Sequence, residues 1–336
     1  TGFMMLLIIR ILLGVAEGPN FPALTRAISD WLPERERVRA LSLTIIAVPI
    51  SLAVGGPIVS FLITHTSWRS MFFITGAISL LWIPFWLFLF RDFPEQSKYV
   101  SSKELNKIKG TKVSAAETFD HEHELALRKN VSGLWKSLFT NKTLLVGYWA
   151  YFVFGCFFIF FVSWLPSFLE TRFHMSTSEV GLIAVVPWLV SALLMWLAGV
   201  LSDATFKKTR NLRLSRTCFI FVAQAISTVA IVCLIGASSK LLALIFITII
   251  LSFMLSTVPT FYAINIDLVK TRAATSLGVM NVFLAISSFV APAVAGRVIE
   301  SSYGYNAMFL ALAFLGLSST ILMIIFHRPD QDVVSC

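Results

Sequence analysis

Apolar runs of roughly 20 residues recur along the whole chain, and this feature limits its possible folds more than any other. A helix needs about 20 apolar residues to cross the hydrocarbon core of a bilayer. Because backbone polar groups in lipid must be bonded within the protein, such runs form helices. We therefore predict an all-α polytopic membrane protein. Its nine predicted spans are residues 3–29, 40–64, 68–90, 143–169, 179–203, 214–236, 241–264, 274–298 and 305–327.

The composition excludes an ordinary soluble protein. Of the 336 residues, 57% are hydrophobic and 13% are charged, whereas soluble domains carry about 25% charged residues. The four cysteines show no paired spacing, so we predict small buried residues rather than disulfides or metal ligands. They are Cys156, Cys218, Cys233 and Cys336. No metal or other cofactor is predicted.

Lysine and arginine are distributed unequally between alternate connections, and this asymmetry predicts the orientation. With Arg10 set aside because it lies within a span, 22 of the 27 basic residues fall in one set of connections and 4 in the other. Basic residues are enriched in cytoplasmic loops, so the first set and the C-terminus are predicted to be cytoplasmic. The same asymmetry explains the formal net charge of +9, and no nucleic-acid partner is predicted.

The polar segment 91–142 separates three predicted spans from six and is interpreted as a cytoplasmic linker. Nine spans with a cytoplasmic C-terminus place the N-terminus outside, and Thr1 enters the first span almost at once. With six helices to a bundle, we expect the chain to begin in the fourth helix of a twelve-helix protein. The predicted domains are residues 1–90 (rest of the first bundle), 91–142 (linker), 143–328 (second bundle) and 329–336 (cytoplasmic tail).

Arg10 and Glu17 are charged residues deep within an apolar span, and both lie in the first span. Seven residues is nearly two helical turns, so the side chains share one face about 10 Å apart along the axis. Charge at mid-membrane costs at least ~2.5–3.5 kcal/mol, so this face should border the bundle interior or a wet cavity. Arg10 suits an anionic group, and Glu17 suits proton uptake and release. The alternative is an ion-pair network that holds helices together.

Other aromatic and polar residues within spans are candidates for the wall of a binding cavity. Interrupted helices and isolated amides at membrane depth often border transport sites. Ordinary core packing explains the aromatic residues equally well, and an interhelical hydrogen bond explains the amide. These candidate residues are Tyr148, Tyr151, Trp164, Ser256, Thr257 and Asn281.

Two motifs resemble those of a known family. The pattern R-x-x-x-G-x-x-E-G-x-x-F-P over residues 10–22, followed by W-L-P-E-R-E-R-V-R-A over 31–40, is similar to the fourth helix and next loop of the anion:cation symporters. That family of the major facilitator superfamily includes sialin, vesicular glutamate transporters and bacterial permeases for hexuronate, galactonate, glucarate and phthalate. A second stretch, G-V-L-S-D-A-T-F-K-K over 199–208, resembles the superfamily's cytoplasmic loop signature. This resemblance marks Asp203, Lys207 and Lys208 as a cytoplasmic gate loop.

The resemblance implies a two-bundle carrier that works by alternating access and moves an organic anion together with protons. The functional Arg and Glu of the family's fourth helix correspond to Arg10 and Glu17, and the Asn of its eleventh helix corresponds to Asn281. A polar residue that sugar-acid permeases carry in helix five is replaced near Val48 and Pro49, which argues against a sugar-acid substrate. We expect a small carboxylate and protons as partners, a monomer, and a bacterial inner membrane.

Two other classes of function remain as alternatives. A major facilitator antiporter that exports cationic or neutral compounds would also use a mid-span Glu, although Arg10 on the same face disfavours a cationic cargo. A membrane receptor or membrane-embedded enzyme is more remote. The sequence contains no H-E-x-x-H or G-x-S-x-G motif, and no Ser–His pair lies within a span, so we predict that the chain is not an enzyme.

Overall fold

The computed structural model describes residues 2–18, 20–32, 34–91, 93–97, 100–102, 104–106, 135, 138–269, 273–301 and 303–331. Regular structure in these ranges is helical, with one 3₁₀ turn, Pro94–Gln96, and one π-helical turn, Arg213–Thr217. The α-helices are α1 (Gly2–Glu17), α2 (Asn20–Trp31), α3 (Glu34–Ile45), α4 (Ala47–His65), α5 (Trp68–Leu80), α6 (Trp82–Leu89), α7 (Lys142–Phe173), α8 (Thr177–Ile183), α9 (Val185–Thr209), α10 (Cys218–Ile235), α11 (Lys240–Ser256), α12 (Val258–Val269), α13 (Ala273–Glu300) and α14 (Gly304–Phe326).

Eight helical segments within the described residues are long and apolar enough to cross a membrane. They match eight of the nine predicted spans, which confirms the prediction of a polytopic helical protein. These segments are Ala40–His65, Trp68–Leu89, Lys142–Phe173, Thr177–Thr209, Arg213–Ile235, Lys240–Val269, Thr275–Glu300 and Gly304–Phe326.

The first predicted span, residues 3–29, is divided into two helices. α1 has 16 residues and α2 has 12, so each is shorter than the roughly 20 residues of a full span. The structure shows that α1 ends at Glu17 and that α2 begins at Asn20. Pro19 lies between them, and proline both lacks an amide hydrogen and disfavours helical geometry in the residue before it.

Prolines also explain why three other spans are each divided into two helices. Each of the helices α3, α5 and α8 ends four residues before a proline. The following helix begins two residues after that end, and therefore contains the proline. A proline cannot donate to the carbonyl four residues earlier, and its ring crowds that carbonyl, so the helix is interrupted there. These pairs of helix end and proline are Ile45 and Pro49, Leu80 and Pro84, and Ile183 and Pro187. Other prolines, such as Pro57 and Pro166, lie within continuous helices, so a proline does not always break a span.

The helices from α7 to α14 form one bundle. α7 packs against α13 and α14, α9 packs against α11, and α10 packs against α11 and α14. Gly155 in α7 lies so close to α13 that a Cβ there would collide with Oγ of Ser287. Gly316 in α14 is equally close to the hydroxyl of Thr228 in α10. Small residues at such contacts allow helices to approach closely in lipid, where van der Waals packing drives association.

The N-terminal helices contact this bundle along one side. α4 lies against α8 and α9, α3 lies against α9 and α12, and α2 lies against α13. A Cβ on Gly199 in α9 would lie 3.0 Å from Oγ of Ser42 in α3, and a Cβ on Gly181 in α8 would lie 3.2 Å from Cβ of Ser60 in α4. α1, α5 and α6 bury none of their residues.

The proposed division into domains is only partly visible. Most of the predicted linker, residues 91–142, lies outside the described residues, and of the predicted tail the structure describes residues 329–331. α7 begins at Lys142, one residue before the predicted start of the second bundle. The domain boundaries therefore stay predictions.

Candidate functional site

Arg10 and Glu17 both lie on α1, seven residues apart in one continuous helix. Both side chains are exposed, and neither forms a hydrogen bond or ion pair with another described residue. Because α1 buries none of its residues, the described part of the chain does not enclose the face that they share. The helical spacing is as expected, and the enclosure of the two charges stays a prediction.

Asn281 lies in a cluster of residues that come from the N-terminal helix α2 and from the bundle of α7 to α14. The hydroxyl of Tyr262 in α12 donates to Oδ1 of Asn281 in α13 at 3.5 Å. The ring of Tyr262 also meets that of Tyr151 in α7 edge to face, with centroids 6.4 Å apart. On its other side, Tyr262 packs against Phe21 of α2, with centroids 6.1 Å apart. We call these four residues, Phe21, Tyr151, Tyr262 and Asn281, the central cluster.

A second set of hydrogen-bonded residues, called here the neighbouring layer, lies about one helical turn from the central cluster on α7, α12 and α13. The hydroxyl of Tyr148 in α7 is 3.1 Å from Oγ of Ser276 in α13, and Ser276 donates to Oδ1 of Asn265 in α12 at 2.7 Å. Nδ2 of Asn265 donates to the carbonyl of Phe261 at 3.0 Å. Tyr148, Ser276 and Asn265 are buried. The hydroxyl of Tyr148 is thus used to join helices.

Three other predicted site residues lie apart from the central cluster. The hydroxyl of Ser256 donates to the carbonyl of Phe253 at 2.7 Å, and that of Thr257 donates to the carbonyl of Met254 at 2.6 Å. Both hydroxyl hydrogens are therefore used within the local backbone. Trp164 is half-buried, and a Cβ on Gly296 of α13 would lie 3.6 Å from its ring. The structure shows no hydrogen bond between these three side chains and the described side chains of the central cluster.

Asp203, Arg216 and Asp267 form a charged cluster at one end of the bundle. Nη1 of Arg216 lies 2.7 Å from Oδ1 of Asp203, and Nε lies 3.6 Å from Oδ2 of Asp267. Nη1 also donates to Oγ of Ser202 at 2.7 Å. Only 4% of the Arg216 side chain is exposed, against 30% for each carboxylate. A buried guanidinium is tolerated because two carboxylates from separate helices face it.

The predicted gate loop coincides with this cluster in part. Asp203 belongs to it, whereas Lys207 and Lys208 are exposed and form no ion pair with the described residues. Phe206 of the same stretch packs against Arg216, whose Cζ lies 5.4 Å from the ring centroid. The charge that meets Asp203 therefore comes from the turn before α10.

Sequence reasoning missed Arg216, Asp267 and Tyr262. Arg216 closes a run of basic residues, so the charge pattern assigns it to a cytoplasmic loop. Asp267 follows an apolar span and carries no signal of its own. Tyr262 is one of several aromatic residues in an apolar run. The signal that would have found Arg216 is the presence of carboxylates at the same end of two other spans.

The described residues show no site for a metal ion. They contain no group of three or more His, Cys, Asp or Glu side chains placed to hold one. Cys156, Cys218 and Cys233 are free thiols. Cys156 is buried as predicted and Cys218 is half-buried, whereas Cys233 is exposed, so the prediction of burial is wrong there. Cys336 lies outside the described residues.

Comparison with known proteins identifies the family. A family model described as Major Facilitator Superfamily matches residues 1–228. The chain is 29% identical over 340 residues to a probable sulfoacetate transporter of Cupriavidus necator, covering 100% of this chain and 76% of that protein. It is 27% identical over 336 residues to a hexuronate transporter of Bacillus subtilis, covering 98% of this chain and 74% of that protein.

A solved structure agrees with the fold. The proton:xylose symporter XylE, bound to 6-bromo-6-deoxy-D-glucose, superposes with a TM-score of 0.64 over 92% of this chain and 70% of the symporter, at 13% identity. The resemblance seen in the motifs is confirmed, since the named relatives are transporters of organic anions and not enzymes. Because the family match spans more than half of its length, the chain belongs to the major facilitator superfamily.

Proposed function

We propose that the protein is a secondary transporter that moves a small organic anion across the membrane together with protons, by alternating access. One observation carries the proposal: Arg10 and Glu17 share one face of α1, and neither is paired with a described residue. A guanidinium at membrane depth is costly unless it is neutralised. An anionic substrate supplies that neutralisation. The relatives named for sulfoacetate and hexuronate support an organic anion as the cargo.

Arg10 holds the anionic group of the substrate. Its planar guanidinium offers two parallel donors, which match the two oxygens of a carboxylate or sulfonate. Asn281 contributes an amide to the same site, and Tyr151 packs beside it through Tyr262. Tyr148, Trp164, Ser256 and Thr257 are proposed to support the wall of the cavity by packing.

Glu17 carries the coupling proton. A symporter crosses the membrane either with substrate and proton or with neither, so it needs a carboxyl that gains and loses a proton as access alternates. Glu17 lies seven residues from Arg10 on the same face of α1, so the substrate anion and the coupling proton would be taken up along one helix face. Loading of the anion and of the proton are thereby linked.

The cluster of Asp203, Arg216 and Asp267 closes the cytoplasmic side. It ties the end of α9 to α12 and to the turn before α10. Because Arg216 faces two carboxylates, it keeps one partner when the other moves away. Lys207 and Lys208, exposed beside it, attract anions towards this end of the protein.

We also propose that the C-terminus lies in the cytoplasm and that the protein is a monomer in a bacterial inner membrane. The distribution of basic residues supports the orientation, and the bacterial relatives support the membrane. A reporter that is active only in the cytoplasm, fused after Cys336, should be active. An inactive fusion in a transport-competent protein would contradict the orientation.

Uptake into liposomes tests the proposal. We expect the full-length protein to accumulate labelled sulfoacetate or another small organic acid when the outside is acidic, and to stop when an ionophore collapses the pH gradient. Counterflow of labelled against unlabelled acid should occur without a gradient, as expected of a carrier and not of a channel. Uptake of none of a panel of carboxylates and sulfonates, or uptake indifferent to the pH gradient, would contradict the proposal.

A further inference from the structure

We propose that Tyr262 is a positioning residue that sets specificity: its hydroxyl holds the amide of Asn281 so that Nδ2 faces the substrate as a donor. The site then selects groups that only accept hydrogen bonds, such as carboxylates and sulfonates. This inference rests on the proposed function, because it assumes that an organic anion binds beside Asn281.

The amide of Asn281 has one end occupied and one end open. An asparagine side chain carries an acceptor oxygen and an amino group with two donor hydrogens. The hydroxyl of Tyr262 occupies the oxygen at 3.5 Å, and Nδ2 forms no hydrogen bond with another described residue. Asn281 is half-buried, and its Nδ2 is not fully enclosed by the described residues.

Tyr262 cannot readily turn away from Asn281. A tyrosine hydroxyl has a single hydrogen, and in Tyr262 that hydrogen is donated to Oδ1 of Asn281. The ring is 1% exposed and is held between Phe21 on one side and Tyr151 on the other. Tyr151 is itself fixed edge to face against Phe261, with centroids 5.1 Å apart. The orientation of the amide is therefore built into the packing of three helices.

The neighbouring layer shows what a purely structural arrangement on the same helices looks like. There, Asn265 is satisfied at both ends, because Ser276 donates to its oxygen and its Nδ2 donates to the carbonyl of Phe261. Asn265 is also 4% exposed. Each layer thus connects a tyrosine of α7 to an asparagine through one intervening side chain, Ser276 or Tyr262, but only the layer of Asn281 leaves the amino group open.

A fixed donor discriminates between an acid and its amide. A carboxylate accepts from Nδ2 with either of its two oxygens, whereas a carboxamide accepts only with its one carbonyl oxygen, and its amino group in the same place would face Nδ2 donor to donor. Without the hydroxyl of Tyr262, the amide of Asn281 is free to rotate by half a turn and present its oxygen. Removal of the hydroxyl should therefore weaken binding of the acid and relax the preference against the amide.

Binding to the full-length protein in detergent tests this in four forms: unchanged, Tyr262→Phe, Asn281→Ala and the double variant. The probes are sulfoacetate with its carboxamide, and succinate with its monoamide. In the unchanged protein we expect the acid to bind about tenfold more tightly than its amide. Tyr262→Phe should reduce this ratio several-fold. In the Asn281→Ala background, the same substitution should leave the ratio unchanged.

A matched control removes another interhelical tyrosine hydrogen bond. The hydroxyl of Tyr305 in α14 donates to Oγ of Ser167 in α7 at 3.0 Å, so Tyr305→Phe should leave the ratio as it is. If Tyr262→Phe does not fold, Tyr151→Leu serves instead, because it removes the ring that packs edge to face against Tyr262 and should shift the ratio in the same direction.

Two outcomes would overturn this inference without contradicting the proposed function. One is an unchanged ratio of acid to amide affinity in a folded Tyr262→Phe protein, and the other is an equal shift of that ratio with and without Asn281. The second would mean that Tyr262 meets the substrate directly. If the unchanged protein binds neither acid nor any other member of the panel, the proposed function falls and the inference with it.

Discussion

Arg216 and Asp203 meet at 2.7 Å across the junction between α9 and the turn that precedes α10. The guanidinium is almost fully buried, and Asp267 faces it from α12. Removing one partner from a buried pair is costly because it leaves an uncompensated charge. This contact therefore bears on stability as well as on the proposed closure of the cytoplasmic side.

Arg216→Gln should destabilise the protein strongly. The substitution leaves two carboxylates without their counter-charge, and we expect a loss of about 3–5 kcal/mol in the free energy of unfolding. Thermal unfolding in detergent measures it as a lower Tm. Lys207→Gln is the matched control, because Lys207 is exposed, and its Tm should stay near that of the unchanged protein. Equal Tm values for the two variants would show that the Arg216 pairs contribute nothing.

Arg10→Lys should preserve the fold and lose most of the affinity for the anion. Lysine keeps the charge but cannot make two parallel hydrogen bonds to a carboxylate. The measurement is the apparent affinity for the transported acid, which we expect to fall about tenfold or more. Arg172→Lys, an exposed arginine near the end of α7, should leave the affinity unchanged. An unaltered affinity in Arg10→Lys would assign Arg10 to helix packing.

Glu17→Gln should separate exchange from accumulation. Glutamine imitates a permanently protonated carboxyl, so the variant should still exchange labelled for unlabelled substrate, which needs no proton release. It should fail to concentrate substrate against a gradient, because an empty and deprotonated carrier can no longer return. Glu104→Gln, an exposed position outside the spans, controls for loss of a carboxylate. Accumulation that survives in Glu17→Gln would move the coupling proton to another residue.

Gly155→Ala should force α7 and α13 apart. The new methyl would collide with Oγ of Ser287 and lie 2.8 Å from Cδ1 of Leu284, and such overpacking costs about 1–3 kcal/mol. A lower Tm measures the loss, and adding Ser287→Ala should restore part of it. Gly278→Ala on α13, with no atom within 4 Å of the new Cβ, should keep or raise the Tm. A Gly155→Ala protein as stable as Gly278→Ala would contradict this close packing.

The membrane spans were predictable because length and apolarity decide them. A run of about 20 apolar residues has few other stable folds in lipid, and eight predicted spans are confirmed as helices. Breaks within spans were less visible. The Ser256–Thr260 stretch suggested one, and the structure separates α11 from α12 at Thr257. The break at Leu81 falls in an unbroken apolar run, where Pro84 is the sole local sign.

The polar contacts could be predicted only in part, because they depend on which helices become neighbours. Asn281 stands out in its span as an isolated amide, and the structure gives it a partner. That partner, Tyr262, lies 19 residues away, and nothing local distinguishes it from a tyrosine in the core. Arg216 and Asp267 lie still farther apart in the sequence and are joined only once the bundle has formed.

The prolines that interrupt α3, α5 and α8 have a further consequence for hydration. Each deprives one carbonyl, that of Ile45, Leu80 or Ile183, of its usual intrahelical donor. In hydrocarbon a carbonyl without a donor costs several kcal/mol. Water molecules or neighbouring side chains must therefore reach these carbonyls within the spans, so the prolines mark the depths at which the protein has to supply other hydrogen-bond donors.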